Sequence, residues 1–291
     1  MLLKVTFYGV RGSTPCPSER NRRYGGNTAC VTLESPGSMP LVLDLGTGLR
    51  FWGERLSSDG TFHGAALVTH IHWDHVQGLP FFVPVDRIGS RLDIYGPPQD
   101  GTSFEAAFDT FMRPPYFPVS VQELRGDVAF HDVTDADVAI GDAKVRVRPV
   151  PHVGATNGYR IDMAGASVAY ISDHQQPLDG GHQITDAVLE LCDGVDLLIH
   201  DAQYTDEEFG QKSHWGHCTV DFAVAVAARS GSSRLALFHH DPSHDDDTLD
   251  RMLASTRDAP CEVIAAAEGL TISLGNAPLA NQVVVGREAR D

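Results

Sequence analysis

Three histidines and one aspartate stand in the spacing H-x-H-x-D-H at residues 70–75 of this chain. Imidazole nitrogen suits Zn²⁺ and similar ions, and a carboxylate adds a hard oxygen ligand with negative charge. The apolar run at residues 65–68 comes directly before and predicts a buried strand that delivers these side chains to one edge of a sheet. A surface turn that happens to be rich in histidine is the alternative. The spacing favours the metal site, and we expect a hydrolase with two metal ions.

Other predicted strands end in the same kinds of side chain. The candidates that follow a predicted strand are His70, His72, Asp74 and His75; His152; Asp173; His200 and Asp201; and His239 and His240. Binding residues commonly lie on loops that a rigid scaffold positions. Two adjacent metal ions need about seven such ligands if one carboxylate bridges them and a water completes the site.

The chain is strongly acidic, with a formal charge of −17 from 22 basic and 39 acidic residues. Such a surface repels nucleic-acid phosphates over most of its area, which argues against a long polyanion as substrate. A small phosphodiester stays compatible, because bound metal ions reverse the local field.

The cysteines and the N-terminus bear on the compartment. Five cysteines are an odd number without C-x-x-C pairing, which favours a reducing environment. Residues 1–8 alternate like a strand and lack the apolar core of a signal peptide. No apolar run approaches the roughly 18 residues that span a bilayer. We expect a cytoplasmic protein with no membrane association.

Strands and helices mix along the chain, and no linker or compositional break divides it. Thr219 is predicted to cap a helix that runs to about Ser230 and ends at Gly231. Many buried strands imply sheets that are covered on their outer faces. We expect one domain over residues 1–291 with an α/β fold, an αββα sandwich of two mixed β-sheets with helices outside. Its tail, 276–291, is expected to be loosely ordered, and periodicity alone leaves other α/β layouts open.

Residues 20–23, Arg-Asn-Arg-Arg, form a basic segment in this acidic chain. Such a segment could bind an anionic substrate. For Arg20 and Arg23 individually, a solvated loop is an equally good interpretation.

The sequence resembles the metallo-β-lactamase-fold hydrolases from Gly9 to Ile272. Within them it is most similar to the phosphodiesterase branch that contains ribonuclease Z and the carbon–phosphorus-lyase cyclic phosphodiesterase. The matching motifs are H-x-H-x-D-H at His70, His72, Asp74 and His75; His152 before Gly158-Tyr159-Arg160-Ile161; Asp173 at the end of Tyr170-Ile171-Ser172-Asp173; and His239 at the end of Leu235-Ala236-Leu237-Phe238-His239.

The resemblance implies two divalent metal ions, most often Zn²⁺, with Mn²⁺ or Fe as alternatives. It assigns the ligands as His70, His72 and His152; Asp74, His75 and His239; and Asp173, which would bridge the two ions with a hydroxide between them. Asp74 would also orient that nucleophile. His240 is a rival for the role of His239. Neighbouring strand residues point to opposite faces, so only one of the two can bind metal, and we favour His239.

The resemblance also implies an acid–histidine pair. Ribonuclease Z-like enzymes carry His-Glu-Ala-Thr and Gly-His-Ser-Thr segments, which appear here as His-Asp-Ala-Gln at 200–203 and Gly-His-Cys-Thr at 216–219. His217, oriented by Asp201, would then protonate the leaving oxygen. Helix capping and packing is the alternative role for both residues. Asp in place of Glu also shortens the distance over which the carboxylate can reach the histidine.

The predicted substrate is a small or cyclic phosphodiester. Ribonuclease Z carries a long arm for tRNA between its third motif and the bridging aspartate, whereas residues 153–172 here hold only a predicted hairpin. Together with the charge, this argues against tRNA or another long nucleic acid. A lactonase or β-lactamase-type hydrolase that uses the same metal site is an alternative, and a non-catalytic metal-binding scaffold is another. A homodimer stays open.

Overall fold

The structure is a computed structural model that describes residues 2–275 and the backbone of Val283–Val284. In this part of the chain the strands are β1 (Leu3–Gly9), β2 (Cys30–Glu34), β3 (Leu41–Leu43), β4 (His63–Leu67), β5 (Arg91–Gly96), β6 (Asp127–Asp132), β7 (Ala136–Ile140), β8 (Ala143–Pro149), β9 (Asn157–Met163), β10 (Ala166–Ile171), β11 (Leu197–Asp201), β12 (Arg234–Phe238), β13 (Glu262–Ala265), β14 (Thr271–Leu274) and β15 (Val283–Val284). The predicted loose tail, 276–291, lies outside the described residues except for β15.

The α-helices of the same part are short, and four single-turn 3₁₀ helices accompany them. The helices are α1 (Leu49–Gly53), α2 (Trp73–Val76), α3 (Phe104–Asp109), α4 (Asp186–Cys192), α5 (Asp206–Lys212), α6 (Val220–Ser230) and α7 (Asp246–Ser255). The predicted caps of α6 are confirmed: the Thr219 hydroxyl accepts from the amide of Phe222, and Gly231 ends the helix with φ 66°. No described helix has the length and apolar character that a bilayer crossing requires.

Two mixed sheets carry the fold. One has the order β15-β14-β1-β2-β3-β4-β5-β6, and the other has the order β13-β12-β11-β10-β9-β8-β7. In the first sheet β3 to β6 run parallel, and in the second β10 to β13 run parallel, while the remaining pairs are antiparallel. Parallel neighbours bring their carboxyl ends to the same edge of a sheet.

The sheets face each other across an apolar core. Phe7 of β1 lies with its ring centre 6.1 Å from Phe238 of β12, and Tyr170 of β10 contacts the same ring at 5.7 Å. A second apolar cluster packs α4, α6 and α7 against the outer face of the second sheet, and a third packs α1 and α3 against the first. The predicted αββα sandwich is thus confirmed.

Candidate metal centre

Side chains from both sheets meet at one edge of the sandwich. Asp173, Asp201 and His239 lie at or just after the carboxyl ends of β10, β11 and β12, which are parallel neighbours. The histidine-rich segment follows β4 of the opposite sheet, and its last residues form α2. The fold therefore brings together residues that are more than 150 positions apart.

The first ligand set is composed of three imidazoles and one carboxylate. The Nε2 atom of His70 lies 2.7 Å from Nδ1 of His72, which lies 3.3 Å from Nε2 of His152. Oδ2 of Asp173 is 3.8 Å from Nε2 of His70 and 3.6 Å from Nε2 of His152. One atom from each of these four residues lies within 4.8 Å of all the others.

The second set lies directly beside the first. Oδ2 of Asp74 is 3.1 Å from Nε2 of both His75 and His239, and those two nitrogens are 3.2 Å apart. Oδ1 of Asp173 is 3.2 Å from Nε2 of His75 and 3.3 Å from Nε2 of His239. The two oxygens of Asp173 therefore face different sets, which is the arrangement that a bridging carboxylate requires.

Neighbouring acceptors hold the imidazoles so that one ring nitrogen is turned inward. His152 donates from Nδ1 to the carbonyl of Gly216 at 2.7 Å, which leaves Nε2 to face the cluster. His239 contacts Oε1 of Gln203 through Nδ1 at 3.3 Å. Such partners fix the tautomer and the ring orientation of metal-binding histidines.

Asp44 holds two further imidazoles, and sequence analysis did not identify it. Its Oδ2 accepts from Nδ1 of His75 at 2.8 Å. It also accepts from the Thr69 hydroxyl, which lies 3.0 Å from Nδ1 of His70. The only signal in the sequence was its place at the end of β3, before the glycine-rich turn at residues 45–48.

Burial and charge put the imidazoles of the first ligand set, and Asp74 of the second, in the protonation states that bind cations. Burial lowers the pKa of His70 well below its ordinary value, and it also lowers those of His72 and His152, so these rings are neutral. Burial alone would raise the pKa of Asp74, but His75 and His239 together outweigh it and hold the pKa well below normal. The carboxylate is therefore ionised.

These residues fit divalent cations. Ring nitrogens that face one another at hydrogen-bond distance cannot all be satisfied by protons, whereas a cation accepts several lone pairs at once. Three imidazoles with a carboxylate form a donor set typical of Zn²⁺. Burial lowers the pKa of His75, but Asp74, Asp173 and Asp44 raise it well above normal. Cation binding there would release a proton.

The predicted acid–histidine pair forms beside the two ligand sets. Nδ1 of His217 lies 3.0 Å from Oδ2 of Asp201, and both side chains are buried. Burial alone would lower the pKa of His217, but the Asp201 carboxylate raises it. His217 also lies within ligand distance of Asp173 and His239, so the geometry makes it a rival metal ligand.

The structure separates His239 from His240. The ring of His239 enters the second ligand set, whereas Nε2 of His240 donates to the carbonyl of Ala266 at 2.9 Å. His239 has a positive φ of 58°, so a left-handed turn after β12, and not simple strand alternation, directs its side chain. Of the two, His239 alone reaches the cluster, and its metal binding stays a prediction.

The segment after β1, which includes Gly12 and Ser13, packs against the second ligand set. The amide of Ser13 donates to Oδ2 of Asp74 at 2.7 Å, and a side chain on Gly12 would collide with the ring of His239. Ser13 and Asp44 share the left-handed backbone of His239, with φ values of 63° and 57°. Left-handed non-glycine residues cost free energy and cluster at functional sites.

The basic segment at residues 20–23 does not line this site. Arg20 pairs with Asp245 at 2.6 Å, and Arg23 pairs with Asp247 and Asp250. These acidic residues belong to α7 and its N-cap, so the arginines tie the loop to that helix. These contacts favour a structural role for Arg20 and Arg23, and substrate binding by this segment stays an untested prediction.

A pocket of about 340 Å³ opens over the cluster. Its lining residues are Ser13, His72, Trp73, Asp74, Asp173, Trp215, His217 and His239. Four of the predicted ligands and His217 thus face one cavity of a size that holds a small molecule.

Comparison with known proteins places the chain in a family. Residues 56–240 match the model of the Beta-lactamase superfamily domain. The ribonuclease Z of Natronomonas pharaonis is 26% identical over 277 residues, and the alignment covers 82% of this chain and 87% of that protein.

Two solved structures support the fold. A diphosphatase from the PhnP family superposes with a TM-score of 0.68 at 21% identity, covering 94% of this chain and 98% of that one. Zn²⁺-bound PqqB from Methylobacterium extorquens superposes with a TM-score of 0.69 at 18% identity, covering 93% and 100%. The chain belongs to the beta-lactamase superfamily, in the ribonuclease Z-like branch of its metal-dependent hydrolases with the metallo-β-lactamase fold.

Proposed function

We propose that this chain is a dinuclear metal-dependent phosphodiesterase that cleaves a small or cyclic phosphodiester. The observation that carries the proposal is the Asp201–His217 pair, 3.0 Å apart, beside two ligand sets that share Asp173. An alkoxide that leaves phosphorus needs a proton, and a carboxylate-oriented imidazole supplies one. The diphosphatase and ribonuclease Z relatives support phosphorus–oxygen chemistry.

The proposed ligands are His70, His72, His152, Asp74, His75, His239 and the bridging Asp173. Bound divalent cations would lower the pKa of a water molecule and neutralise charge on the phosphate oxygens. The histidine-rich donor sets favour Zn²⁺, and Mn²⁺ or Fe are the alternatives.

Asp74 and His217 have the two remaining roles, which are to orient the attacking water and to donate the proton. The carboxylate of Asp74 is ionised, fixed by the Ser13 amide, and open to the pocket, so it can orient the water that attacks phosphorus. Asp201 holds Nδ1 of His217 and raises the pKa of the ring, which favours the protonated form whose Nε2 can pass a proton to the departing oxygen.

The pocket supports a small substrate. None of the eight lining residues found in the described chain is Lys or Arg. The nearby Lys212 pairs with Asp241 at 2.9 Å. Between His152 and Asp173 the chain is filled by the β9–β10 hairpin, so that interval holds no protruding arm. A long polyanion would therefore find few cationic partners here.

The direct test uses purified, metal-loaded protein with bis(p-nitrophenyl) phosphate and cyclic nucleotides. We expect cleavage of at least one class, and a large loss with His217→Ala at unchanged metal content. No cleavage of any phosphodiester would refute the proposal, and unchanged cleavage by His217→Ala would refute the role of the pair.

RNA processing is the second candidate, because several relatives are named ribonuclease Z. A precursor tRNA with a 3′ extension separates the two functions. Faster cleavage of that RNA than of any small phosphodiester would favour the second candidate.

Carbon–oxygen or carbon–nitrogen hydrolysis is a third candidate, since the matching family model is named for beta-lactamases. Faster turnover of an acyl-lactone or of nitrocefin than of any phosphodiester would favour it. A protein that holds metal and hydrolyses none of these compounds would be a non-catalytic scaffold.

A further inference from the structure

Two tryptophans line the pocket and remain open to solvent. The exposed fraction of Trp73 is 72%, and that of Trp215 is 57%. Indole is highly buried in most proteins, because leaving it in water costs hydrophobic free energy. Neither ring contributes a metal ligand or a proton, so the proposed chemistry leaves both without a role.

A chain of contacts between histidines and backbone connects the segments that carry the two tryptophans. Trp73 directly follows His72, whose Nδ1 lies 3.3 Å from Nε2 of His152. His152 then donates to the carbonyl of Gly216 at 2.7 Å, and Gly216 directly follows Trp215. Both tryptophans are thereby close in sequence to residues in contact with the first ligand set.

The rest of the lining offers little else to bind the organic part of a substrate. The other six residues are Ser13, His72, Asp74, Asp173, His217 and His239. All are polar, and all but Ser13 belong to the proposed catalytic machinery. Binding energy for the part of the substrate beyond the phosphate must come largely from the two aromatic faces.

We propose that Trp73 and Trp215 form a stacking site for the aromatic base of a nucleoside phosphodiester. The inference rests on the proposed function and specifies its substrate class. Every nucleobase has a π-face, and stacking on aromatic side chains needs no positive charge, which suits a pocket without Lys or Arg. The site suits a small nucleoside ester, because the cavity of about 340 Å³ holds only a small ligand.

The experiment compares two cyclic esters with metal-loaded protein: adenosine 3′,5′-cyclic phosphate and methyl riboside 3′,5′-cyclic phosphate, which lacks the base. We expect Trp73→Ala and Trp215→Ala each to lower kcat/KM for the nucleotide by about 5- to 150-fold. For the base-free ester the change should stay within about twofold, and phenylalanine at either position should restore most of the loss. Tyr116→Ala is the matched control, because this exposed aromatic residue does not line the pocket.

A binding measurement keeps the inference separate from catalysis. Titration calorimetry of adenosine monophosphate and ribose 5-phosphate should show tighter binding of the nucleotide, and this preference should disappear in the alanine variants. If neither ester is cleaved but the preference persists, the proposed reaction fails and the base site stands. If cleavage occurs without any base preference, the base site fails and the reaction stands.

Two further outcomes would overturn the inference. Equal losses on both esters would show that the tryptophans support the fold or the phosphate site. A wild-type dimer that dissociates in the tryptophan variants, measured by sedimentation, would show that a second copy of the chain covers these rings.

Discussion

Oδ2 of Asp44 lies 2.8 Å from Nδ1 of His75, and solvent reaches neither side chain. The contact turns Nε2 of His75 toward Asp74 and Asp173. The hydroxyls of Tyr170 and Thr69 donate to the same carboxylate. Asp44 thus connects both sheets to the second ligand set without facing the pocket.

Replacing Asp44 by Asn should weaken metal binding. The variant preserves the shape but loses the charge that orients His75, and loss of such a partner costs about 10- to 100-fold in metal affinity. Competition with a chromophoric chelator measures the change. Asp142→Asn, an exposed carboxylate that accepts from Ser38, is the control. Equal affinities for wild type and Asp44→Asn would contradict the orienting role.

Replacing Gly12 by Ala should displace the ring of His239. A Cβ atom at residue 12 would overlap Cε1 and Nδ1 of that imidazole, so we expect loss of one bound cation and of activity. Metal analysis of the purified variant measures this. Gly210→Ala is the control, because a Cβ atom there meets nothing within 4 Å. Full metal content in Gly12→Ala would place His239 outside the metal site.

Removing the proton donor should slow the reaction and leave metal binding intact. General acid catalysis contributes about 10²- to 10⁴-fold, so His217→Ala should lower kcat by a factor in that range. Asp201→Asn should give a smaller loss, because the imidazole remains. Parallel metal analysis is decisive here: loss of a cation in His217→Ala would show that His217 is a ligand.

Acid should remove one contribution to folding stability that comes from residues outside the pocket lining. Hydrogen bonds from Arg91 lower the pKa of the partly buried Asp93 below its ordinary value of 3.8, against the opposing effect of burial. Asp93→Asn should therefore cost about 1 kcal/mol at neutral pH. The difference should shrink as the pH falls below 3.8 and vanish below the lowered folded-state pKa.

Urea unfolding of both proteins at several pH values measures that difference. The exposed Asp100→Asn serves as the control and should match wild type throughout. A difference that persists at the lowest pH would mean that the Asp93 carboxylate is not the source of the stability.

Sequence patterns predicted most of the architecture. Thr219 and Gly231 define the ends of α6, because a hydroxyl cap and a left-handed glycine are local features. The H-x-H-x-D-H residues, Asp173 and His239 converge, because the strands that precede them in the two sheets end at the same edge of the sandwich. Local pattern and global fold agree at these positions.

The contacts that the sequence did not predict depend on long-range geometry. Asp44 meets His75 across 31 positions, and the amide of Ser13 meets Asp74 across 61. Both depend on left-handed backbone at a non-glycine residue, which no composition rule predicts. Arg23 was equally ambiguous, because its acidic partners on α7 lie more than 220 positions away.

Titration of the metal-free protein with Zn²⁺ or Mn²⁺, followed by cleavage of bis(p-nitrophenyl) phosphate, tests the central claim most directly. We expect no cleavage without cation and a rate that saturates at two equivalents per chain, since Asp173 faces two ligand sets. Full activity at one equivalent, or no phosphodiester cleavage at any loading, would contradict a dinuclear phosphodiesterase.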